Sequence, residues 1–294
     1  MSKNTVYRIV CDRLIQEMDR GNIPWRKPWS APLSPQNYVS KRPYQGVNHV
    51  LLSCEVARRG CPYFASLKQI RHLGGRVLDW EFKKSSIVTF WRWVEIKDDE
   101  EEDQAIPFLR YYRIWNLAQT EGIEWSPPKT QTIDPINECE RIVEGYRGGP
   151  AIITDGGNRC YYSPINDSIH VPDRNQFSNG VAFYSSLFHE MIHSTGHKRR
   201  LNRQLSHDHE STSYAVEELI AETGSAFLLG VAGIEEPANL ENNAAYLRSW
   251  MQFIADHPQR VVSAFSKAQK AADWVLGNRD SKKKKREEVY HVAA

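Results

Sequence analysis

Five residues constrain this chain more than any other stretch: His189-Glu190-Met191-Ile192-His193. Residues four apart on an α-helix stand one turn above each other on one side, so His189 and His193 can reach a single metal ion. Glu190 lies between them, turned too far to ligate and near enough to take a proton from a metal-bound water. The flanks read as helix. Ser178 or Asn179 can cap its start, Val181, Tyr184, Phe188, Met191 and Thr195 recur at three-to-four spacing, and Gly196 can stop it. The competing reading is an ordinary surface helix with two unrelated histidines.

A zinc site needs a third protein ligand. One extended pattern places a Gly three residues and a His six residues after the second His. Gly196 fits, but the sixth position is Arg199. The other pattern draws a Glu from a second helix further along the chain. Tyr214 to Leu229 reads as that helix, with Glu217, Glu218 and Glu222 near its start. Glu218 and Glu222 are four apart and share a face, so Glu218 would bind the metal and Glu222 would orient a ligating imidazole from behind it. Glu217 competes with Glu218 as the ligand. The bland alternative is a solvated first turn that suits the helix dipole. Tyr214, His197 and Arg199 are candidates for stabilising an oxyanion.

The 294 residues leave room for two domains, and the formal charge of +2 says little as a whole. Its distribution says more. Residues 1–126 carry 19 Lys and Arg against 15 Asp and Glu, and six of those acids form one run, Asp98 to Asp103. Without the run this half is at +10, while the remainder of the chain is at −2. Seven of the nine tryptophans also lie in the first half. Two domains with different tasks are expected: 1–126, a linker at 127–132 around Ser126-Pro127-Pro128-Lys129, and 133–279, followed by a basic tail at 280–294. The opening segment is polar and amphipathic, unlike a signal peptide, and no apolar run is long enough for a membrane span. Five scattered cysteines without a C-x-x-C pair read as reduced thiols, hence a cytoplasmic protein.

The first half is expected to be helices with a small sheet. Thr5 to Arg20, Asn48 to Arg59 and Ser66 to Leu73 read as helices, and Ser85 to Ile96 and Phe108 to Leu117 as strands joined by a loop from Lys97 to Pro107. The acidic run is then a solvated hairpin tip or, alternatively, a phosphate mimic. Aromatic rings beside cations are what single-stranded nucleic acid needs, since each base can stack on a ring while cations follow the phosphates. The nominated residues are Trp25, Arg26, Lys27, Trp29, Tyr38, Lys41, Arg42, Tyr44, Arg92, Trp93, Tyr112 and Arg113. Any one of these tryptophans or tyrosines has packing in a core as its alternative. The second half reads as a helix at Pro135 to Tyr146, three short strands (Pro150 to Thr154, Asn158 to Tyr162, Ser168 to Pro172), the motif helix, the acid-bearing helix, and helices at Asn239 to Ala255 and Pro258 to Leu276.

This α+β arrangement resembles the zincin metallopeptidases with a glutamate third ligand. The wider pattern resembles the ArdC-type antirestriction proteins of conjugative plasmids. The marks are Pro24-Trp25 with Pro28-Trp29, Arg42-Pro43-Tyr44-Gln45-Gly46-Val47-Asn48, Leu73-Gly74-Gly75, Phe108-Leu109-Arg110-Tyr111-Tyr112, His189 through His197, and Glu217-Glu218-Leu219-Ile220-Ala221-Glu222. The resemblance implies an N-terminal single-stranded-DNA-binding domain, a metallopeptidase-like domain, and protection of incoming plasmid DNA from restriction enzymes. The expected ion is Zn2+, with Mn2+ as an alternative, and the expected partners are single-stranded DNA and a protein substrate or restriction enzyme, with no membrane. Two other classes stay open: a DNA-binding protein with a vestigial metal site, and a plain metallopeptidase whose first domain recruits protein substrates.

Overall fold

The computed structural model describes residues 3–25, 34–98, 101–128, 134–154, 156–203, 205, 208, 211–234 and 244–278, with the backbone alone at 3–4, 92–98, 101–107 and 244. Two compact units form. One comprises Met1–Gln131 with Pro237–Ser266, the other Thr132–Glu236 with Lys267–Ala294. A stretch late in the chain thus returns to the first unit.

In that unit, α1 (Lys3–Asp19) buries Val6, Val10, Leu14 and Met18 at helical spacing. After β1 (Gln36–Asn37), α2 (Val47–Arg59) follows, and after β2 (Tyr63–Ala65), α3 (Leu67–His72) begins on a capping box between Ser66 and Gln69. Then come β3 (Arg76–Val77), a 3-10 turn over Asp79–Lys84, β4 (Ser86–Asp98), β5 (Glu101–Asn116) and β6 (Thr120–Glu121). The main sheet has the order β1-β2-β5-β4, with β1 parallel to β2 and the other pairs antiparallel; β3 and β6 form a separate antiparallel pair. Leu52 and Val56 of α2 pack on Phe64, Val88 and Ile114 of the sheet. Asn48 fixes the register of helix on strand, donating to the Thr89 carbonyl at 2.7 Å and accepting from the Thr89 amide at 2.7 Å.

The β4–β5 ladder does not stop where composition suggests. Pairing continues through Ile96 with Gln104 to Asp98 with Glu101, across most of the expected Lys97–Pro107 loop. The ladder is built from backbone hydrogen bonds, which do not depend on side-chain charge, so acidity alone does not end a strand.

The second unit opens with α4 (Pro135–Gly145), capped by Asp134 with Pro135 in its first turn. Strands β7 (Ala151–Thr154), β8 (Tyr161–Ser163) and β9 (Ser168–Val171) form a sheet of order β7-β9-β8, in which β7 is parallel and β8 antiparallel to β9. Helix α5 (Gly180–Ser194) starts on Asn179, whose side chain accepts from the Ala182 amide. Helix α6 (Thr212–Val231) starts on Ser211, which accepts from the Tyr214 amide. The two helices pack face to face at Gly224, where a Cβ would meet Ile192 at 2.9 Å, so only glycine allows this approach. Tyr184, Phe188, Met191 and Thr195 are buried along the motif helix.

Helix α7 (Ala244–Asp256) belongs to the first unit, and α8 (Pro258–Val275) runs from the first unit into residues of the second. Within the first unit Trp25 is fully buried, edge-on to Trp250 of α7 at 5.4 Å and tilted against Phe265 at 6.0 Å. Among the described residues no helix is long and apolar enough to cross a membrane.

Candidate functional site

Helix α5 places His189 and His193 one turn apart, and α6 brings Glu218 to them. Their Nε2 atoms are 3.0 Å apart, His193 Nε2 lies 3.4 Å from Glu218 Oε1, and His189 Nε2 lies 3.5 Å from Glu218 Oε2. Four ligands placed tetrahedrally at about 2.0–2.1 Å from a Zn2+ ion are separated by about 3.3 Å, close to the spacing of the two imidazole nitrogens and of the Glu218 carboxylate, which turns one oxygen to each. They are the three donors that could hold a metal ion among the described residues. All three side chains are partly open to solvent, which leaves access for a fourth ligand.

The electrostatics favour a cation at the same point. Burial alone would push the His193 imidazolium pKa down, yet Glu217, Glu218 and Glu190 hold it up to about 10. Burial raises the Glu218 carboxyl, and the two imidazoles outweigh it and bring that carboxyl well below the usual range. Glu190 is half-buried, and its charge reaches His193, Cys160 and Tyr214. Burial, reinforced by Glu190, pushes the Cys160 thiol up to about 12. Burial and then Glu218, to which its phenol is hydrogen-bonded, raise the Tyr214 pKa.

Behind the histidine pair stands a group that no motif announces. Glu217 Oε1 is 3.2 Å from His193 Nδ1, on the side of the ring away from Glu218. Arg203 clamps both oxygens of Glu217, donating Nε to Oε2 at 3.0 Å and Nη2 to Oε1 at 2.7 Å. The same guanidinium donates to Thr195 Oγ1 at 2.6 Å and to the Ile192 carbonyl at 2.9 Å, tying the end of α5. Both side chains are 7% exposed. Glu217 thus meets His193 at the ring nitrogen remote from Glu218, with both of its oxygens taken up by Arg203. Glu222 lies one turn beyond Glu218 and is half-buried. Of the other oxyanion candidates, His197 lies 3.8 Å from Asp167 and Arg199 is exposed. Tyr214 is the one in hydrogen-bond contact with a proposed ligand.

The nominated nucleic-acid residues divide. Trp25 is a correction: its ring lies in the core on Trp250 and Phe265 and offers no face to a base. Arg26, Lys27 and Trp29 lie outside the described residues, and of Arg92 and Trp93 only the backbone in β4 is described. Lys41 stands over the Tyr38 ring at 3.9 Å from its centroid, and Tyr38 Oη donates to the Glu124 carbonyl. Lys41 and Arg42 are exposed. Tyr44 is half-buried against Phe64, and burial pushes its phenol up to about 12. Tyr112 and Arg113, being neighbours on a strand, point to opposite faces of β5. Tyr112 is 43% exposed, hydrogen-bonded to Tyr44, and 5.8 Å from the 43%-exposed ring of Phe90, with exposed Arg110 next along that face. Phe90 and Arg110 were missed, although strand alternation with Tyr112 could have found them.

A family model described as the N-terminal domain of anti-restriction factor ArdC matches residues 4–115. A model described as a zincin-like metallopeptidase matches residues 139–267. The crystal structure of the antirestriction ArdC protein from plasmid R388 in metal-free form shares 33% identity over 93% of this chain and 97% of that one, with a TM-score of 0.74. The Mn(II)-bound structure of the same protein shares 32% identity over 94% and 98%, with a TM-score of 0.72. DNA primase TraC of Escherichia coli is 31% identical over 93% of this chain, which spans 20% of that protein's length. The α+β fold, the zincin-like second unit and the likeness across nearly the whole of a solved ArdC chain establish that this chain belongs to the ArdC-type antirestriction family.

Proposed function

We propose that the chain binds single-stranded DNA without sequence preference and carries a peptidase-type hydrolytic site, and that it protects incoming plasmid DNA from restriction in the recipient cytoplasm. The observation that carries the hydrolytic reading is the spacing of the His189, His193 and Glu218 donor atoms, 3.0 to 3.5 Å, with Glu190 beside them. His189, His193 and Glu218 would hold a divalent ion, Zn2+ first and Mn2+ as the alternative that the Mn(II)-bound relative supports. Once bound, the ion supplies a Lewis acid next to the open position. Glu190 accepts a proton from the attacking water and returns it to the leaving amine. Glu217 fixes the His193 ring, and Glu222 has the matching task on His189. The exposed Phe90, Tyr112 and Arg110 face, with Lys41 and Arg42, supports base stacking and phosphate contact. Free cysteines support a reducing compartment.

Metal analysis of purified wild type and of Ala variants at His189, His193 and Glu218 tests the ligand set. One ion per wild-type chain, lost in each variant, is expected. Glu190→Gln should keep the metal and abolish cleavage of a casein substrate. Full occupancy in Glu218→Ala, or cleavage by Glu190→Gln at the wild-type rate, refutes the assignment.

A further inference from the structure

A second feature of the first unit is absorbed by neither the metal centre nor the Phe90–Tyr112 face. A cleft of about 430 Å3 opens between α1, the end of α2 and the start of β4. Its size falls within the range of small-ligand sites, about 300–1,000 Å3. Six cations line it: Arg13, Arg20, Arg58, Arg59, Lys83 and Lys84. Three buried carboxylates hold four of these in place. Glu17 takes Arg20 and Arg58 at 2.7 and 2.8 Å, Glu55 takes Arg58 and Arg59, and Glu81 takes Arg59 and Lys84 at 2.8 and 2.9 Å. Arg13 donates to Gln16, and neither it nor Lys83 is paired with a carboxylate among the described residues. Six positive charges against three negative ones leave the cleft at +3, in a concavity that concentrates the field. Guanidinium forks already fixed by buried carboxylates lose little freedom on taking up an oxyanion.

The rim adds a second chemistry. In the 3-10 turn over Asp79–Lys84, residues three apart lie on one side, so Trp80 stands beside Lys83 while Glu81 and Lys84 point together into the ion-pair network. Trp80 is 69% exposed, the most open tryptophan among the described residues. On β4 the cleft reaches Ile87, and Phe90 comes three residues later, about 10 Å along the strand and on the opposite face from Ile87.

We propose that this cleft binds the phosphates of single-stranded nucleic acid, with Trp80 stacking one base at its rim. The inference rests on the single-strand-binding reading and adds a distinct contact region to it. The test uses the full chain, a 20-residue oligothymidylate and inorganic pyrophosphate. Arg13→Gln/Lys83→Gln should flatten the log–log salt slope of oligonucleotide binding by about 1.4, at about 0.7 per phosphate contact on a single strand, and should weaken pyrophosphate binding. Trp80→Ala should weaken oligonucleotide binding about 5- to 150-fold without changing the pyrophosphate affinity. All three positions are exposed, and melting curves check that the variants fold. If wild type binds the oligonucleotide and Tyr112→Ala weakens it while the cleft variants keep wild-type affinity and slope, the cleft proposal falls and the broader reading stands. Variants that lose pyrophosphate alone also refute it, leaving a simple anion site. A wild-type chain that binds no single strand overturns both.

Discussion

Arg203 is the strongest test of how the metal centre is built. The Arg203→Gln variant removes a guanidinium that holds both oxygens of Glu217, Thr195 Oγ1 and the Ile192 carbonyl. With both partners 7% exposed, Glu217 would be left as an uncompensated buried carboxylate. Breaking such a pair from one side costs about 3–5 kcal/mol. The cost should be visible in urea unfolding with a chelator present, so that metal binding does not mask it. The second effect is local. Glu217 is the group on His193 Nδ1, and loss of a group that orients a ligating imidazole lowers metal affinity about 10- to 100-fold. A competitive titration against a chromophoric chelator measures that directly. The double variant Arg203→Gln/Glu217→Gln separates the two effects, since removing both charges should recover part of the stability but not the metal affinity. An Arg203→Gln protein that is destabilised yet binds metal as wild type does would refute the link from Arg203 through Glu217 to His193.

Two further outcomes follow from packing and charge. Trp25→Ala should cost about 3–5 kcal/mol by chemical denaturation, as for other buried aromatics; a fully stable variant that loses DNA binding would return Trp25 to the surface. For Glu81, burial raises the carboxyl, but Gln119, Lys84 and Arg59 hold it down to about 2, against an ordinary 4.5. Its stabilisation is therefore fully present above pH 4.5 and lost as pH falls through about 2, so wild type should exceed Glu81→Gln in stability at pH 7 and converge with it in acid. A difference that grows on acidification contradicts the sign.

That His189 and His193 share a face was legible because helical spacing carries geometry, and the acid-rich start of a second helix offered Glu218, which the fold brings to them. Arg203 was not legible. It sits in an irregular segment between α5 and α6, where no period links it to Glu217. Trp25 between a proline and two basic residues looked like surface, because its partners Trp250 and Phe265 lie more than two hundred residues away and only the fold brings them together. For the same reason no local signal placed α7 with the first unit. The expected 97–107 loop rested on composition, and backbone pairing of the kind seen from Ile96–Gln104 to Asp98–Glu101 leaves no trace in side-chain charge.

The long β4–β5 ribbon has a consequence for what the net charge means. Twelve steps separate Ser86 from Asp98, so at about 3.4 Å per residue the acidic end of the ladder stands roughly 40 Å from the root of the ribbon. Salt screens exposed charges over about 8 Å at physiological ionic strength. The paired residues Asp98 and Glu101 therefore lie several screening lengths along the ribbon from Ser86, and they cancel the basic charge of Lys83 and Lys84 only in a count. The ladder from Ser86–Ile114 to Asp98–Glu101 does not fold back onto its own root without breaking that pairing, so a polyanion arriving at Lys83 and Lys84 would not meet Asp98 or Glu101 there first.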